Sequence, residues 1–540
     1  MRRSVVSSLL LLCACEPVYV HLSGPSSPDL SGDGPRRDPV LVDALVETSS
    51  ATRCSAPGRR AGLGPFERRT ASNPSTSQAY LWSGGVLAGD LDEDGRIDIV
   101  APSEPYARLY RGRAGGGVTA WDERLAGFDL EFGSGGSLAD YDGDGDLDML
   151  VLRWDRSNVL LRNEGGGHFT DVTPPELAAI AASTSSAWAD VDRDGDLDLF
   201  VGSYDDLAGE GVIGGSYLYE NRGTHFIDRS DRLPGELDVA YTRVAGFHDL
   251  DRDGYPDLYV VNDVGTVQGN LLIRNLGAFY FEVDREGVGL NLDMSGGGLG
   301  VGDVNGDGVL DLLIPQWDEL SLMLSSDDGR WYDHAGALGL RADLEAGQRV
   351  GWGAELADFD NDGALDAAVA YGHLEVDLPS WSNPRRQPDA LFLQLPDGTF
   401  SDVAGDWGVA DEGTSRGFIV ADLNEDGWLD LAKRDLDGPD LLYLSRCGEA
   451  HWSKIRLRDP TSANLLGIGA RIKVITTEGE QIRTVLAGGT GFGSGGPPEV
   501  HFGLGAAEEI ERLEVLWPDG SESWVHSVGV DRIVQVVRTE

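Results

Sequence analysis

The chain has 540 residues, 91 acidic against 43 basic side chains, a formal net charge of −48, and 41% hydrophobic residues. The apolar content excludes a disordered polyanion, and the charge excludes nucleic acid and anionic lipid surfaces as partners. The length allows a large core and a smaller second unit.

Two arginines and an apolar run over residues 5–14 open the chain. That run is too short to span a bilayer and reads as a secretory signal over 1–14. The end of the run, Leu12-Cys13-Ala14-Cys15, resembles a bacterial lipobox, with Cys13 as a departure. The resemblance implies lipidation of Cys15 and an exported protein held at an outer membrane or cell surface by acyl chains alone, a secreted or periplasmic form being the alternative. Residues 15–61 are rich in Pro, Ser, Gly, Asp and Arg without hydrophobic period, as in a flexible tether.

Over residues 62–447 one nine-residue pattern recurs seven times, its copies 50 to 64 residues apart. Positions 1, 3, 5 and 9 are Asp90, Asp92, Asp94 and Asp98; Asp140, Asp142, Asp144 and Asp148; Asp190, Asp192, Asp194 and Asp198; Asp249, Asp251, Asp253 and Asp257; Asp303, Asn305, Asp307 and Asp311; Asp358, Asp360, Asp362 and Asp366; Asp422, Asn424, Asp426 and Asp430. Glycine at position 6 permits a turn that aims these side chains at one point. Converging carboxylates need a hard cation, and a flexible all-oxygen loop suits Ca²⁺ better than Mg²⁺. The carbonyl at position 7 completes each set, from Arg96, Asp146, Asp196, Tyr255, Val309, Ala364 and Trp428. About seven Ca²⁺ ions would bring the formal charge to about −34.

An EF-hand would carry a bidentate Glu at position 12. Here position 12 is Ala101, Val151, Val201, Val260, Ile314, Val369 and Lys433, and the residues leaving each loop alternate as a strand. Each unit therefore reads as a Gly-rich strand, the acid loop, an apolar strand, a third strand and an aromatic strand near Trp121, Phe169, Phe226, Tyr280, Trp331 or Phe400. Repeats of this period build propeller blades. The expected fold class is all-β: a seven-bladed β-propeller with Ca-binding inter-strand loops, plus a small C-terminal β domain.

The seventh loop lacks an aromatic strand after it, whereas the stretch Gly64-Pro65-Phe66-Glu67 precedes the first loop, so the N-terminal side completes the last blade. This closure brings Cys54 near Cys447 for a disulfide, which an exported compartment permits; two unrelated thiols are the alternative. Asn424 and the pair Lys433-Arg434, which interrupts the outgoing strand, make the seventh loop the expected weakest site. The loops with their flanking strands resemble FG-GAP/VCBS repeats, the calcium-binding blades of integrin-type propellers.

From residue 448 to 540 the acid loops stop and short alternating strands begin. Gly467-Ile468-Gly469-Ala470-Arg471, Gln481-Ile482-Arg483, the glycine-rich stretch 488–496, His501-Phe502-Gly503-Leu504-Gly505 and Trp517-Pro518-Asp519-Gly520 resemble, in this order, the ASPIC/UnbV domain found after such repeats in the cartilage acidic protein family. Thr484 and Gly495 depart from the pattern, which puts a ligand role for the glycine-rich loop in doubt. The resemblance implies an extracellular calcium-binding protein and no particular activity.

The nine histidines lack metal-ligand spacing, and no Gly-x-Ser-x-Gly elbow or P-loop lysine occurs. His501 sits in a strand and reads as a structural hydrogen-bonding residue. No catalytic set is assigned, and the expectation is a protein that is not an enzyme. Function then belongs to loops on the disc, the insertions 204–215 and 371–389 being candidates, the latter with His373, Trp381, Arg385 and Arg386. The expected role is surface recognition or adhesion toward an extracellular protein or glycan. A glycan-active enzyme using the propeller face and a purely structural calcium-rigidified protein are the alternatives.

Overall fold

In a computed structural model of the chain, each acid loop joins the first two strands of a four-stranded antiparallel meander. The structure describes residues 66–71 and 84–539, except 72–83, 104–105, 179, 205–214, 240, 264, 266–267, 286, 318, 342–348, 374–385 and 437; upstream it describes only the strands Val18–Tyr19 and Ala44–Val46. The second meander shows the common plan, with strands Gly133–Ala139, Asp148–Ser157, Val159–Asn163 and Phe169–Asp171. Seven such meanders follow one another among the described residues. The seventh takes three strands from Ser415–Ala421, Asp430–Asp435 and Leu441–Leu444, and its outermost from Glu67–Thr70, which pairs Glu67 with Leu444 and Thr70 with Leu441.

First strands lie side by side around an axis. Leu87–Gly89 packs on Gly133–Ala139, that strand on Ile180–Ala189, and Ser415–Ala421 returns onto Leu87–Gly89, so the array is a closed, propeller-like ring. The cores lie between neighbouring sheets. Leu87, Val100, Leu138, Met149 and Val151 fill the gap from the first sheet to the second, and Val86, Ile99, Ile419, Ala432 and Leu442 fill the gap that closes the ring. Each such valine, leucine, isoleucine or methionine side chain contributes about 1.5–3 kcal/mol by leaving water.

The C-terminal unit is a two-sheet β structure. One sheet carries His451–Arg458, Val500–Gly505 and Arg532–Val537; the other carries Arg471–Thr476, Gly479–Thr484, Glu509–Leu516 and Glu522–Gly529. Its core, with Ile455, Ile472, Phe502, Leu513 and Trp517, runs without a break into that of the second and third propeller sheets through Leu150, Trp188 and Leu199.

Several expectations need correction. The pair Lys433-Arg434 does not interrupt its strand: Asp430–Asp435 is continuous and buried, because Lys433 pairs with Asp389 at 2.6 Å and Arg434 with Asp440 at 2.6 Å. The expected tether contributes two short strands, since Val18–Tyr19 pairs with Ala44–Val46, which adds to Arg532–Val537; an edge strand needs only backbone partners. In the first sheet the last strand, Gly117–Ala120, stops before Trp121, and in the fourth it starts at Phe281, leaving Tyr280 exposed. The apolar face of the strand is set by which ring can be buried, and there it is Phe281.

Candidate metal centres

The seven loops share one backbone. Position 6 is glycine with φ between +83° and +104°. Position 4 is left-handed as well, and there it is held by five residues with side chains, Glu93, Arg193, Arg252, Asn361 and Glu425, besides Gly143 and Gly306. The position 1 carboxylate accepts the position 6 N–H in six loops, as from Gly145 to Asp140 at 3.1 Å and from Gly363 to Asp358 at 2.8 Å. Position 9 is fully buried and ties the loop to the third strand. Asp148 accepts the N–H of Asn163 at 2.8 Å and that of Tyr141 at 3.3 Å; Asp98, Asp198, Asp311, Asp366 and Asp430 do the same with their own neighbours.

Acid side chains converge as their spacing suggests. In five loops three carboxylates offer oxygens within 4.8 Å of one another: Asp90, Asp92 and Asp94; Asp140, Asp142 and Asp148; Asp190, Asp192 and Asp194; Asp249, Asp251 and Asp253; Asp358, Asp360 and Asp366. The fifth and seventh loops replace one acid by Asn305 and Asn424, which turn toward Asp307 and Asp426. Burial, with neighbouring acids adding to it, pushes the carboxyl of Asp140 up to about 7, that of Asp148 to about 9 and that of Asp257 to about 8. One oxygen each of Asp92, Asp140, Asp142, Asp190 and Asp249 is buried with no donor against it. Like charges gathered in a poorly solvated loop, with buried acceptors lacking donors, fit a divalent oxygen-seeking cation. In three loops arginines stand against the acids and compete with a metal: Arg111 contacts Asp92 and Asp94 and Arg96 contacts Asp94, Arg222 contacts Asp194 at 2.7 Å, and Arg274 contacts Asp251.

These loops form the seat of the C-terminal unit. The Gly195 carbonyl accepts from the Asn464 N–H at 2.6 Å and from Ser462 Oγ at 3.0 Å; Gly308 accepts from Arg471; Asn361 faces His501 Nε2 at 2.7 Å. Lys454 lies buried between Asp422 at 3.2 Å and Glu499 at 3.3 Å. Burial alone would raise the Glu499 carboxyl, but Lys454 and Arg456 outweigh it and hold the group down at about 2. Since that value lies below the ordinary 4.5, the stabilisation is complete above about pH 4.5 and is lost as pH falls toward 2. Glu499→Gln is expected to cost about 3–5 kcal/mol in denaturant melts at neutral pH, because it strands Arg456 and leaves buried Lys454 with Asp422 alone, and its gap from wild type should close on acidification. A gap independent of pH would contradict this pairing.

The glycine-rich stretch 488–496 enters the axis of the ring. Its Gly493 carbonyl accepts the Gly136 N–H at 3.2 Å, Gly495 exchanges hydrogen bonds with Ala88 at 3.0 Å and Val86 at 3.2 Å, and the Gly491 N–H reaches Leu299 at 3.3 Å. Phe492 meets Trp352 edge to face at 5.0 Å, and Arg243 and Arg416 each lie over Trp352, at 4.1 Å and 3.8 Å. The approach explains the glycines of the first strands: a Cβ at Gly85 would stand 2.0 Å from the Gly493 oxygen, and one at Gly135 2.6 Å from it. Beside this hairpin a cavity of about 180 Å³ holds Glu355, pushed up to about 8 by burial, and His248, whose ring nitrogens have no partner.

Sequence reasoning missed the contacts that position 4 makes beyond its own loop, where Asn361 meets His501 of the C-terminal unit and Arg193 reaches the Gly254 carbonyl of the fourth loop at 2.8 Å. The signal available was the break from small residues at a turn. Cys447 is disulfide-bonded. Cys15, Cys54, residues 205–214 of the first insertion, and Trp381 and Arg385 of the second lie outside the described residues, whereas His373 is buried and Arg386 exposed.

Residues 460–540 match the ASPIC and UnbV family, and residues 90–151, 140–201 and 249–314 match the FG-GAP-like repeat. Cartilage acidic protein 1 of Xenopus tropicalis is 26% identical over 276 residues, 49% of this chain and 40% of that protein; the Homo sapiens protein is 26% identical over 276 residues, 49% and 39%. The match thus spans about two fifths of these relatives' own length. Among solved structures, an Agrocybe aegerita lectin that recognises non-reducing terminal N-acetylglucosamine shares 16% identity, covering 67% of this chain and 87% of its own, at a TM-score of 0.40. BBS1N in complex with ARL6DN shares 11%, covering 72% and 99%, at 0.43, and YCF48 bound to D1 peptide shares 12%, covering 72% and 99%, at 0.42.

Proposed function

We infer, for a chain that carries FG-GAP-like repeats and an ASPIC and UnbV domain and is homologous over part of its length to cartilage acidic protein 1, that it is an exported calcium-binding propeller serving recognition of an extracellular protein or glycan. One observation carries the reading: the acid loops gather on the face that seats the C-terminal unit, whose hairpin fills the axis. Calcium in such loops would stiffen the ring and its seat together, and a filled axis leaves the rim and the opposite face for a partner. Export and anchoring rest on residues 1–15, with Cys15 as the lipidated position.

The test is a calcium count on the full chain with binding to glycan and surface-protein arrays in Ca²⁺ and in chelator. About seven ions and partner retention that needs Ca²⁺ are expected; Asp142→Ala should remove about one ion and soften one sheet without unfolding the ring. Two ions or fewer would end the calcium reading, and a retained ligand whose mass changes would make the protein an enzyme.

A further inference from the structure

The second strand of the seventh sheet carries a lysine with no access to bulk water. Lys433 lies within Asp430–Asp435, its side chain fully buried, and its Nζ stands 2.6 Å from Oδ2 of Asp389. Asp389 is buried as completely and immediately precedes Ala390–Gln394, the third strand of the sixth sheet. Asp411, from the connection between the two sheets, reaches the same Nζ at 3.3 Å. An ion pair needs one carboxylate; this lysine meets two.

Both oxygens of Asp389 are held, so its Cγ is fixed beside Nζ. The Tyr371 N–H donates to Oδ1 at 2.8 Å, and Ser415 Oγ donates to Oδ2 at 3.1 Å. Burial pushes the Asp389 carboxyl up to about 6 against the charge of Lys433. Burial also works against the Lys433 ammonium, but Asp389 and Asp411 outweigh it and hold the group above its ordinary value. Two charges stripped of water are costly even when paired, and a neutral amide in their place removes both. Holding the reacting groups in contact supplies the orientation that such a condensation lacks in solution.

We propose that Lys433 and Asp389 condense to an intramolecular isopeptide bond, with Asp411 carrying the proton, and that this bond locks the sixth sheet to the seventh. One ammonium proton passes to Oδ2 of Asp389 along their hydrogen bond, leaving an amine and a carboxylic acid. Nζ then attacks Cγ, the C=O electron pair moves onto Oδ1 against the Tyr371 N–H, and Asp411 takes a second proton from Nζ. The pair returns to rebuild C=O, and Oδ2 leaves as water with the proton that Asp411 gives back. The three ammonium protons end as one on the amide and two on water, so no other reactant is needed. Asp411 keeps 19% of its side chain exposed, which gives the water a way out. The bond does not depend on the recognition reading above.

The experiment is mass spectrometry of the full chain, purified in Ca²⁺ and then denatured, reduced and stripped of metal. The wild type is expected one water lighter than its sequence, and its protease digest should contain a branched peptide joining Asp389 to Lys433. Lys433→Arg keeps the charge, but a guanidinium does not give up its proton to become a nucleophile, so this variant should show its full mass. Should it fail to fold, the branched peptide of the wild type decides alone. Asp411→Asn leaves Lys433 and Asp389 in place and should slow the condensation by about a hundredfold or more, leaving uncondensed chain in freshly folded protein. A wild type at full mass, a water lost as a cyclic imide at an Asp-Gly pair such as Asp94-Gly95 with no branched peptide, or condensation undiminished in Asp411→Asn would overturn the proposal.

Discussion

Excess chelator is expected to lower the melting temperature of the full chain by on the order of 20 °C, and to release the C-terminal unit before the ring itself melts. Each occupied site contributes about 4 kcal/mol when free calcium exceeds its dissociation constant a thousandfold, so several sites together exceed the net stability of most domains. Without the ion, Asp140, Asp142 and Asp148 stand within 4.8 Å of one another around buried oxygens that no donor satisfies. The seat loosens first because it hangs on loop atoms: the Gly195 and Gly308 carbonyls and Asn361 hold Asn464, Arg471 and His501. Hydrogen exchange in Ca²⁺ and in chelator checks the order. Protection lost over residues 451–537 ahead of the strand Asp148–Ser157 is the expected result, and uniform loss would argue that ring and seat melt as one.

Phe492→Ala is expected to cost about 3–5 kcal/mol, the range for emptying a buried aromatic site. The ring lies 5.0 Å from Trp352 at the tip of the hairpin, and Val350 completes its pocket. The loss would spread, because the hairpin bonds to first strands of several sheets that otherwise meet only side by side. Gly135→Val is the companion change. Its Cβ would stand 2.6 Å from the Gly493 oxygen, so it blocks the hairpin without altering it. Both variants should gain protease cleavage within 488–496 while keeping their calcium count. Full resistance there would show that the axis is held by other contacts.

The fold was legible where its cause is local. A glycine that must turn left-handed, acids at fixed offsets and an alternating strand after them are written within nine to twelve residues, so loop, strand order and repeat could be read directly. The closing strand was legible too, because a missing aromatic strand at one end and a spare one at the other name the same gap, and Glu67–Thr70 lies there. Lys433 and Arg434 misled for the opposite reason: charge within a strand looks like a break until Asp389 and Asp440 are seen beside it.

Sequence by itself determined the acid loops, their number, the sheets they punctuate and the second unit behind them. Only the tertiary structure decided what the loops carry. The axial hairpin and the seat of His501 on Asn361 and of Lys454 between Asp422 and Glu499 join residues separated by tens to hundreds of positions. No period in the chain encodes such meetings; they arise because closing the ring fixes each loop in space, and burial then selects which charges face one another.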